Sequence, residues 1–483
     1  MKKYLHFFLL IPMMAISQTQ IGQKIEGDNG TDNYGRKVSM SHDGNIVAVA
    51  ASNHNSFTGH VRVFENVSGT WTQLGADILG TAANDRSGSS IALSADGDVI
   101  AVGSPTNNNS NGISAGNVRV FQYSSGSWIQ LGNTIEGIAT SDSFGETLDL
   151  SADGNILAVG LREHNGNGQN SGQVRIYQNI QGSWTQLGQN INGLQPGDGL
   201  GISLSLSDDG SIVAIGANAI STAGGPTGYT VVYQNVAGNW TQLGQVIYGT
   251  GPNHKSGYST SLSSAGNILA IGAINANVSG TARIFENIGG TWTQIGQDIN
   301  AEGTADANGN ALSLSSDGTI LAVAASINEG SGPYAGHVRI FKNVSNSWVQ
   351  MGTDIDAEEA YDQFGSDVAL SASGSELIVG AAAATTGNFK KGYAKVYDLS
   401  GVLSTKKINA VNFNVYPNPS SDVLNIELDD NAVLENVTIY NNLGQKIKSA
   451  KTTVVDVSTL AKGLYFVEVT TNIGKADQKV IIK

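Results

Sequence analysis

The five-residue sequence WTQLG decides how this chain folds, because the chain repeats it. It stands at Trp71–Gly75, Trp184–Gly188 and Trp240–Gly244, and variants of the same pattern begin at Trp128, Trp292 and Trp348. A copy without tryptophan, QTQIG, spans Gln18–Gly22 near the start of the chain. A segment that recurs at near-constant spacing indicates that the chain is built from copies of one structural unit.

Two further features recur in step with this segment. A Ser-x-x-Gly turn, with Asp before the glycine in most copies, has its glycines at Gly44, Gly97, Gly154, Gly210, Gly266, Gly318 and Gly374. An aromatic residue follows each turn, at Phe64, Phe121, Tyr177, Tyr233, Phe285, Phe341 and Tyr397. Seven turns and seven aromatic residues, spaced by 52 to 57 residues, predict seven units.

Each unit contains four strand-like runs, for which Phe144–Ser151, Asn155–Gly160, Val61–Phe64 and Trp71–Ile78 are examples. Runs of aliphatic and β-branched residues of this length are typical of strands, and Asp-Gly between the first two runs fits a tight hairpin turn. Four antiparallel strands in a repeat of this length are the signature of a propeller blade. The sequence therefore predicts an all-β fold, a seven-bladed β-propeller over residues 18–400.

The seventh unit ends near Tyr397 and has no WTQLG run. The segment Gln18–Ile25 carries the missing pattern, so we expect it to form the fourth strand of the seventh blade. An N-terminal strand in that position closes the ring and covers two strand edges that would otherwise invite aggregation.

The composition excludes some kinds of site and some partners. The chain has no cysteine, which excludes disulfides and cysteine-ligated zinc, and its formal net charge is -14. Residues 18–400 alone hold 15 basic and 32 acidic residues. A surface of this charge repels phosphate backbones, so nucleic acid is not an expected partner.

The N-terminus predicts export. Lys2 and Lys3 precede an apolar run, Leu5–Met14, and Ala15-Ile16-Ser17 is a small-x-small cleavage site, with the cut expected after Ser17. This order is typical of a secretory signal peptide over residues 1–17, and the apolar run is too short to span a bilayer. No later segment reaches 18 apolar residues, so we expect a mature protein that is not transmembrane.

Three motifs of the repeat resemble the FG-GAP repeats of integrin-type propellers: Phe144-Gly145, the Ser-x-Asp-Gly turn and Val102–Pro105. FG-GAP repeats often carry a calcium loop between the first two strands of a blade. That connection is too short here to surround calcium with six or more oxygens, so neither calcium nor another cofactor is expected.

After a linker at residues 401–412, residues 413–483 contain strands separated by turns, which predicts a small antiparallel β-sandwich. Three of its motifs, Tyr416–Pro419, Asn442–Gln445 and Gly463–Tyr465, resemble the C-terminal sorting domain of the type IX secretion system of Bacteroidetes. The lysine-rich final strand resembles that domain as well. The resemblance implies that the type IX machinery is a partner and that the protein reaches the outer cell surface of a Gram-negative bacterium or the medium.

Loops that join strands two and three, and those between blades, emerge on one face, here called the loop face; variable loops on a rigid scaffold often bind ligands. This face carries the candidate ligand-binding residues, each three positions before the first glycine of a blade: Asp32, Asp85, Asp142, Asp198, His254, Asp306 and Asp362. These acids either form a cation-binding ring or accept N–H bonds within their own loops. We favour the second interpretation, because a contact repeated in every blade is what fold support predicts.

No catalytic or metal-binding residues are identified. The pattern Gly112–Gly116 matches a nucleophile elbow, but it lies in a loop without a following helix, and the seven histidines show no metal-binding spacing. A carboxylate pair across the loop face stays possible. The repeated tryptophans, aromatic residues and arginines (Arg62, Arg119, Arg175, Arg283 and Arg339) are interpreted as packing and pairing between blades.

Because the repeats are uniform, the sequence favours a secreted or surface-displayed binding or adhesion protein without catalytic activity, with a glycan or a surface protein as its ligand. Two alternatives are a propeller enzyme that acts on extracellular polysaccharide and a structural component of a surface layer or matrix. If the protein is an enzyme, we expect catalytic residues in one or two blades, where they interrupt the repeat. A structural component predicts self-association.

Overall fold

The structure is a computed structural model. It describes residues 18–218, 227–382, 391–403, 413–428, 432–441, 445–471 and 474–483, so the predicted signal peptide lies outside the described residues. The chain divides into two compact units, Met1–Leu403 and Ser404–Lys483. The first unit contains seven antiparallel sheets, and the inner strand of each contacts the inner strand of the next until the seventh meets the first. This arrangement confirms the predicted seven-bladed propeller.

The strands of the propeller follow the chain blade by blade. The N-terminal strand is β1 (Thr19–Glu26). Blade 1 contains β2 (Lys37–Met40), β3 (Ile46–Ala51), β4 (His60–Val67), β5 (Thr70–Gln73) and β6 (Ile78–Leu79). Blade 2 contains β7 (Ser90–Leu93), β8 (Val99–Ser104), β9 (Asn117–Ser124), β10 (Ser127–Gln130) and β11 (Ile135–Glu136). Blade 3 contains β12 (Thr147–Leu150), β13 (Ile156–Leu161), β14 (Gln173–Ile180), β15 (Ser183–Gln186) and β16 (Ile191–Asn192).

Blade 4 contains β17 (Leu200–Leu206), β18 (Ile212–Ala217), β19 (Tyr229–Val236), β20 (Asn239–Gln242) and β21 (Ile247–Tyr248). Blade 5 contains β22 (Ser256–Leu262), β23 (Ile268–Ala273), β24 (Thr281–Ile288), β25 (Thr291–Gln294) and β26 (Ile299–Asn300). Blade 6 contains β27 (Leu312–Leu314), β28 (Ile320–Ala325), β29 (His337–Val344), β30 (Ser347–Gln350) and β31 (Ile355–Asp356). Blade 7 contains β32 (Phe364–Leu370), β33 (Glu376–Ala381) and β34 (Tyr393–Asp398), with β1 as its outer strand. Short helical turns are α1 (His54–Phe57), a 3₁₀ turn at Ala276–Val278 and α2 (Ser400–Leu403).

The core lies between neighbouring blades. The second strand of a blade is buried along its whole length, as in β8 and β13, because each blade is covered by a neighbour on both faces. Between blades 7 and 1, for example, Val47 and Val49 pack with Ile378 and Val396. This double coverage explains why these strands read as continuous aliphatic runs rather than alternating ones.

The fourth strand differs from the prediction of one continuous run at Trp71–Ile78. It is two short strands, β5 and β6, that pair with opposite ends of β4. Between them Gly75 has a φ of 74°, and a Cβ there would lie 3.0 Å from Cδ1 of Trp128 in the next blade. The strand breaks at this glycine because the next blade's tryptophan occupies the space beside it.

This contact explains why WTQLG is repeated. Each tryptophan donates its indole N–H to the carbonyl of the residue before the glycine in the preceding blade. The pairs are Trp71 to Ile21, Trp128 to Leu74, Trp184 to Leu131, Trp240 to Leu187, Trp292 to Leu243 and Trp348 to Ile295, at 2.8–3.2 Å. One short sequence therefore supplies both halves of a blade-to-blade joint.

The last joint is made by the copy that has no tryptophan. Strand β1 pairs with β34 in antiparallel register, with Ile21 opposite Val396 and Ile25 opposite Ala394. Gln18 takes the tryptophan position and donates its amide N–H to the carbonyl of Thr353, 2.7 Å away in blade 6. The N-terminal strand thus closes the ring, as predicted.

The Ser-x-x-Gly turns also join the blades at the opposite end from the loop face. In each turn the second residue donates its backbone N–H to the carbonyl of the same residue in the next blade. The series runs from His42 to Ala95, Ala152, Asp208, Ser264, Ser316 and Ala372 and back to His42, with N···O distances of 2.8–3.0 Å. Seven backbone hydrogen bonds therefore form a closed ring around the axis.

The second unit is built from two antiparallel sheets. One contains β35 (Phe413–Tyr416), β36 (Val423–Leu428) and β39 (Val454–Asp456), and the other contains β37 (Leu434–Asn441), β38 (Lys446–Ala450), β40 (Gly463–Thr471) and β41 (Gly474–Ile482). Val415 and Leu424 of the first sheet share a core with Val437 and Val467 of the second. The predicted small antiparallel domain is present.

The predicted linker begins at residue 401, but the first unit extends to Leu403. Val402 in α2 is buried against the core of blades 6 and 7, which holds this segment to the propeller. Residues 404–412 lie outside the described residues.

Ring closure by β1 can be tested with a matched pair of substitutions. Ile25 in β1 and Ile78 in β6 occupy equivalent positions, and each is 4% exposed. Truncation of either to alanine removes buried methyl groups and is expected to cost about 2–5 kcal/mol. We expect Ile25→Ala to lower the Tm as much as Ile78→Ala does, and removal of Gln18–Ile25 to lower it further. An unchanged Tm for Ile25→Ala beside a lowered one for Ile78→Ala would show that β1 does not dock.

The tryptophan joint gives a second prediction. Trp240 is 2% exposed whereas Trp128 is half-buried, and both donate an indole hydrogen bond. Substitution by phenylalanine removes the indole N–H donor. At the more buried joint, water cannot easily replace that donor, and leaving the acceptor carbonyl without a partner costs about 1–3 kcal/mol. We expect Trp240→Phe to lower the urea midpoint of unfolding more than Trp128→Phe. Equal losses would mean that burial does not control the strength of the joint.

Candidate functional site

A central cavity of about 1070 Å³ is lined by the inner strands of all seven blades. Inner strands start at the loop face and end in the Ser-x-x-Gly turns. Arg36, at the start of β2, therefore lies at the loop-face mouth, and His42, in the first turn, lies at the floor. Across that floor Nε2 of His42 is 3.8 Å from a carboxylate oxygen of Asp208 in blade 4. Because the mouth lies at the loop face, the loops of that face determine its shape.

The predicted ring residues are buried in their own loops. The six aspartates are 2–4% exposed, and among the described residues that line the cavity none of the seven predicted residues occurs. Asp142 accepts the backbone N–H of Ala139 at 3.0 Å, and equivalent bonds reach Asp85, Asp198, Asp306 and Asp362. His254 instead contacts the hydroxyl of Thr250 at 3.2 Å. Whether these residues bind a ligand stays a prediction.

Several ring aspartates also hold the loop that joins strands two and three. Asp142 lies 2.8 Å from Nδ1 of His164, and Asp32 lies at the same distance from Nδ1 of His54. Asp85 accepts the side-chain N–H of Asn107 at 2.9 Å. In all three blades the partner stands 22 residues after the aspartate, so this contact is part of the repeat. The aspartates therefore hold these loops of the loop face in position.

The residue that follows each ring position is the one that faces the cavity. It has a φ between 50° and 61° in every blade, at Asn33, Arg86, Ser143, Gly199, Lys255, Ala307 and Gln363. Five of these seven line the cavity: Asn33, Arg86, Ser143, Lys255 and Gln363. A left-handed conformation at six non-glycine residues is costly, and such outliers cluster at functional sites. The sequence pattern located this loop but missed the residue, because a backbone conformation is not visible in residue types.

Three arginine side chains line this cavity. The chain has eight, of which five form the strand-three series and the other three, Arg36, Arg86 and Arg162, all line the cavity with Lys37 and Lys255. Within the described part of the chain, Arg36, Arg86 and Lys255 form no ion pair. Five cations therefore line this cavity together with five carboxylates, Glu146, Asp149, Glu163, Asp208 and Asp367, whereas the propeller as a whole is strongly acidic.

The acidic residues of the cavity are largely engaged. Glu146 lies 3.6 Å from Arg162, and Asp367 lies 3.6 Å from Lys37. Burial raises the pKa of Glu146 and of Asp367, and the neighbouring cations oppose both shifts. These carboxylates neutralise Arg162 and Lys37 and leave the unpaired cations available for a ligand.

Asp149 has a different role. Its two carboxylate oxygens accept the backbone N–H groups of Leu150 at 2.9 Å and of Leu206, in the next blade, at 2.7 Å. Burial raises the pKa of Asp149 to about 6, although these two hydrogen bonds oppose the shift. The carboxylate caps the open edge of an inner strand, which has no further strand to pair with.

Aromatic side chains also occur in the loops of the loop face. Tyr334, from a strand-two-to-three loop, stacks on Tyr361, from the connection between blades 6 and 7, with ring centroids 6.1 Å apart and an angle of 20°. Tyr334 is 46% exposed. The guanidinium of Arg86 lies 5.2 Å from the ring centroid of Phe57. Flat aromatic surfaces beside charged donors suit the apolar faces and the charged groups of a sugar.

The strand-three arginines join blades. Arg119, Arg283 and Arg339 each donate to a backbone carbonyl at the end of the preceding blade, at 2.7–2.8 Å. Their guanidinium groups also lie over the repeated aromatic residue of their own strand, at 5.2–5.4 Å from its ring centroid. These contacts agree with the structural role expected for the series.

Residues 414–483 match the family model of the secretion system C-terminal sorting domain. The protein is therefore secreted or displayed on the outer surface of a Gram-negative bacterium, and its tail implies interaction with the type IX machinery. Within the described residues, no helix has the length and apolar content to cross a membrane. The likeness of the propeller to FG-GAP repeats stays a prediction, since the matched model covers only the tail.

No curated protein matches the chain. Among solved structures, the hydrazine synthase of Kuenenia stuttgartiensis aligns with a TM-score of 0.47 and 13% identity, over 74% of this chain and 94% of its own. The periplasmic gluconolactonase of Pseudomonas aeruginosa aligns with a TM-score of 0.45 and 17% identity, over 67% and 85%. Similarity at this level says nothing of activity, and the propeller rests on its own strand topology.

The raised pKa of Asp149 predicts a pH-dependent stability. Asp149→Ser keeps the cap and removes the charge, because Ser205, Ser261 and Ser313 cap the equivalent N–H groups of later blades. A carboxyl whose pKa rises from 3.8 to about 6 on folding stabilises the fold below about pH 4, and this contribution is lost as the pH rises to about 6.

We therefore expect the Tm of the wild type minus that of Asp149→Ser to fall between about pH 4 and pH 6, and to be constant at higher pH. Thermal melts of both proteins across this range make the measurement. A Tm difference that does not change with pH would mean that Asp149 titrates normally in the folded state.

Proposed function

We propose that this protein is an extracellular binding protein whose propeller binds the acidic groups of a glycan at the mouth of the central cavity. The observation that carries the proposal is the position of the arginines. Every arginine outside the structural series lines the cavity, although the propeller as a whole is acidic.

The chemistry of these side chains favours an anionic ligand. Guanidinium presents a planar set of donors that matches a carboxylate or sulfate in two parallel hydrogen bonds. Arg36 and Arg86 come from adjacent blades and Lys255 comes from the far side of the ring, so a ligand that reaches all three spans the mouth. A repeating acidic polymer offers charges at such intervals, whereas a neutral sugar leaves the cations without partners.

The surrounding surface supports a sugar. Tyr334, which is exposed and stacks on Tyr361, and Tyr258, which lines the cavity, offer faces for pyranose rings. The overall negative charge of the propeller repels acidic polymers, whereas the cavity has as many cations as carboxylates. This contrast directs an acidic chain to one place and makes binding sensitive to salt.

The predicted ring aspartates act in this proposal as positioning residues. They hold the loops in place. The left-handed residues of these loops that line the cavity are Asn33, Arg86, Ser143, Lys255 and Gln363. A direct role for the aspartates and a relation to FG-GAP propellers are both compatible with a ligand on the loop face.

An enzyme acting on acidic polysaccharide is the second candidate. One observation favours it: the cavity contains Asp149, whose pKa of about 6 suits a general acid. Asp149 is, however, engaged by two backbone N–H groups, so we place binding first. A purely structural surface component does not require unpaired cations in a cavity.

The test is retention of purified protein on polygalacturonate, a sulfated galactan and neutral dextran, with analysis of the supernatant for released fragments. We expect retention on the acidic polymers, loss of retention at high salt, and no fragments. Arg36→Ala and Arg86→Ala should each weaken binding at least about tenfold, since each removes a charge-assisted hydrogen bond.

The control is Lys451→Ala, which removes one positive charge from an exposed site in the second unit and should leave binding unchanged. Equal retention on dextran, or binding that survives both arginine substitutions, would overturn the proposal. Released fragments would instead establish the enzyme, and Asp149→Ser would then be expected to abolish their release.

A further inference from the structure

A second group of polar side chains lies between blades 5 and 6, away from the central cavity. It contains Glu302, which follows the last strand of blade 5, and two residues of blade 6, His337 at the start of β29 and Asp354 just before β31. One donor atom from each lies within 4.8 Å of the others. Three side chains from three segments therefore converge on one point at the edge of the loop face.

The histidine of this group is 2% exposed, and its Nε2 has no hydrogen-bond partner in the described part of the chain. Its Nδ1 lies 3.5 Å from the carboxylate of Asp354. A buried imidazole nitrogen without a partner is costly unless something binds to it.

The two carboxylates of the group also lie close together. One oxygen of Glu302 and one of Asp354 are within 4.8 Å of each other. Nη1 of Arg339 lies 3.2 Å from Glu302, and Nη2 of the same residue donates to the backbone carbonyl of Asn300 and to Oδ1 of Asn308. Like charges held this close favour a cation between them.

The repeat supplies an internal comparison. At equivalent positions, a histidine with two acidic residues occurs in blade 1 as well, as Asp28, His60 and Asp77, and in no other blade. There Arg62 donates to both carboxylates, to Asp77 through Nε at 3.0 Å and to Asp28 through Nη1 at 3.0 Å. In blade 6 the arginine, Arg339, contacts Glu302, while Asp354 lies beside His337.

We propose that Glu302, His337 and Asp354 form a binding site for a divalent transition-metal ion that links blades 5 and 6. One imidazole nitrogen and two carboxylates are donors that zinc and manganese accept, whereas calcium and magnesium prefer oxygen donors alone. Glu302 is 49% exposed, so it can move to bring the donors to the distances of about 2 Å that such an ion needs.

The surroundings support the site. Gln350 donates to the second oxygen of Asp354 at 2.7 Å, which orients that carboxylate towards the histidine. Three protein donors leave at least one coordination position for water or for a ligand group at the loop face. Because the donors come from three distant segments, no spacing in the sequence announces the site.

The test is isothermal titration of the purified full chain, first freed of metal with a chelator, with zinc chloride and with calcium chloride. We expect one zinc ion per chain, a rise in Tm on its addition, and no comparable heat from calcium. Asp354→Asn and Glu302→Gln should each weaken zinc binding at least about tenfold, since each removes a ligand. Glu302 is exposed, so its variant should fold even if others do not.

The matched controls are Asp77→Asn and Asp28→Asn, the equivalent changes in blade 1, which should leave zinc affinity within about twofold. Failure of the wild type to bind zinc at one ion per chain would overturn the proposal. Equal loss in the blade 1 variants, or unchanged binding in Asp354→Asn, would overturn it as well. The outcome is independent of glycan binding at the cavity mouth.

Discussion

Closure of the ring is the constraint on which the rest of this structure depends. Each blade is covered by its two neighbours, so a break at any joint exposes a core face and a strand edge. Two sets of contacts meet this constraint: the tryptophan joints around the outside and the closed ring of backbone hydrogen bonds around the floor. The first and last strands of the propeller must therefore share one blade, and Gln18 completes the joint where a tryptophan is missing.

The repeated residues hold the fold, and the departures from the repeat form the proposed binding site. Ring aspartates, joint tryptophans and strand-three arginines make nearly the same contacts in most blades. Arg36, Arg86 and Lys255 differ from their counterparts in other blades and stand where a ligand can reach them. Contacts made by the constant residues offset the free-energy cost of the strained backbone at the variable residues.

Charge and export are consistent with this division. A secreted protein with an acidic propeller resists nonspecific association with acidic polymers. In the proposed binding role, selectivity comes from the cations at the mouth of the cavity. The sorting-domain tail places that surface outside the cell.

The sequence by itself determined the blade number, the closing strand, the small second domain and the export route, because these depend on periodicity and local motifs. It also located the loop that carries the proposed site, through Asp32 and its equivalents. It could not show that the next residue, such as Arg86, turns into the cavity, since that depends on a left-handed φ. Nor could it bring Glu302, His337 and Asp354 together. Those arrangements were decided by the tertiary structure, because curvature of the ring sets which distant segments meet.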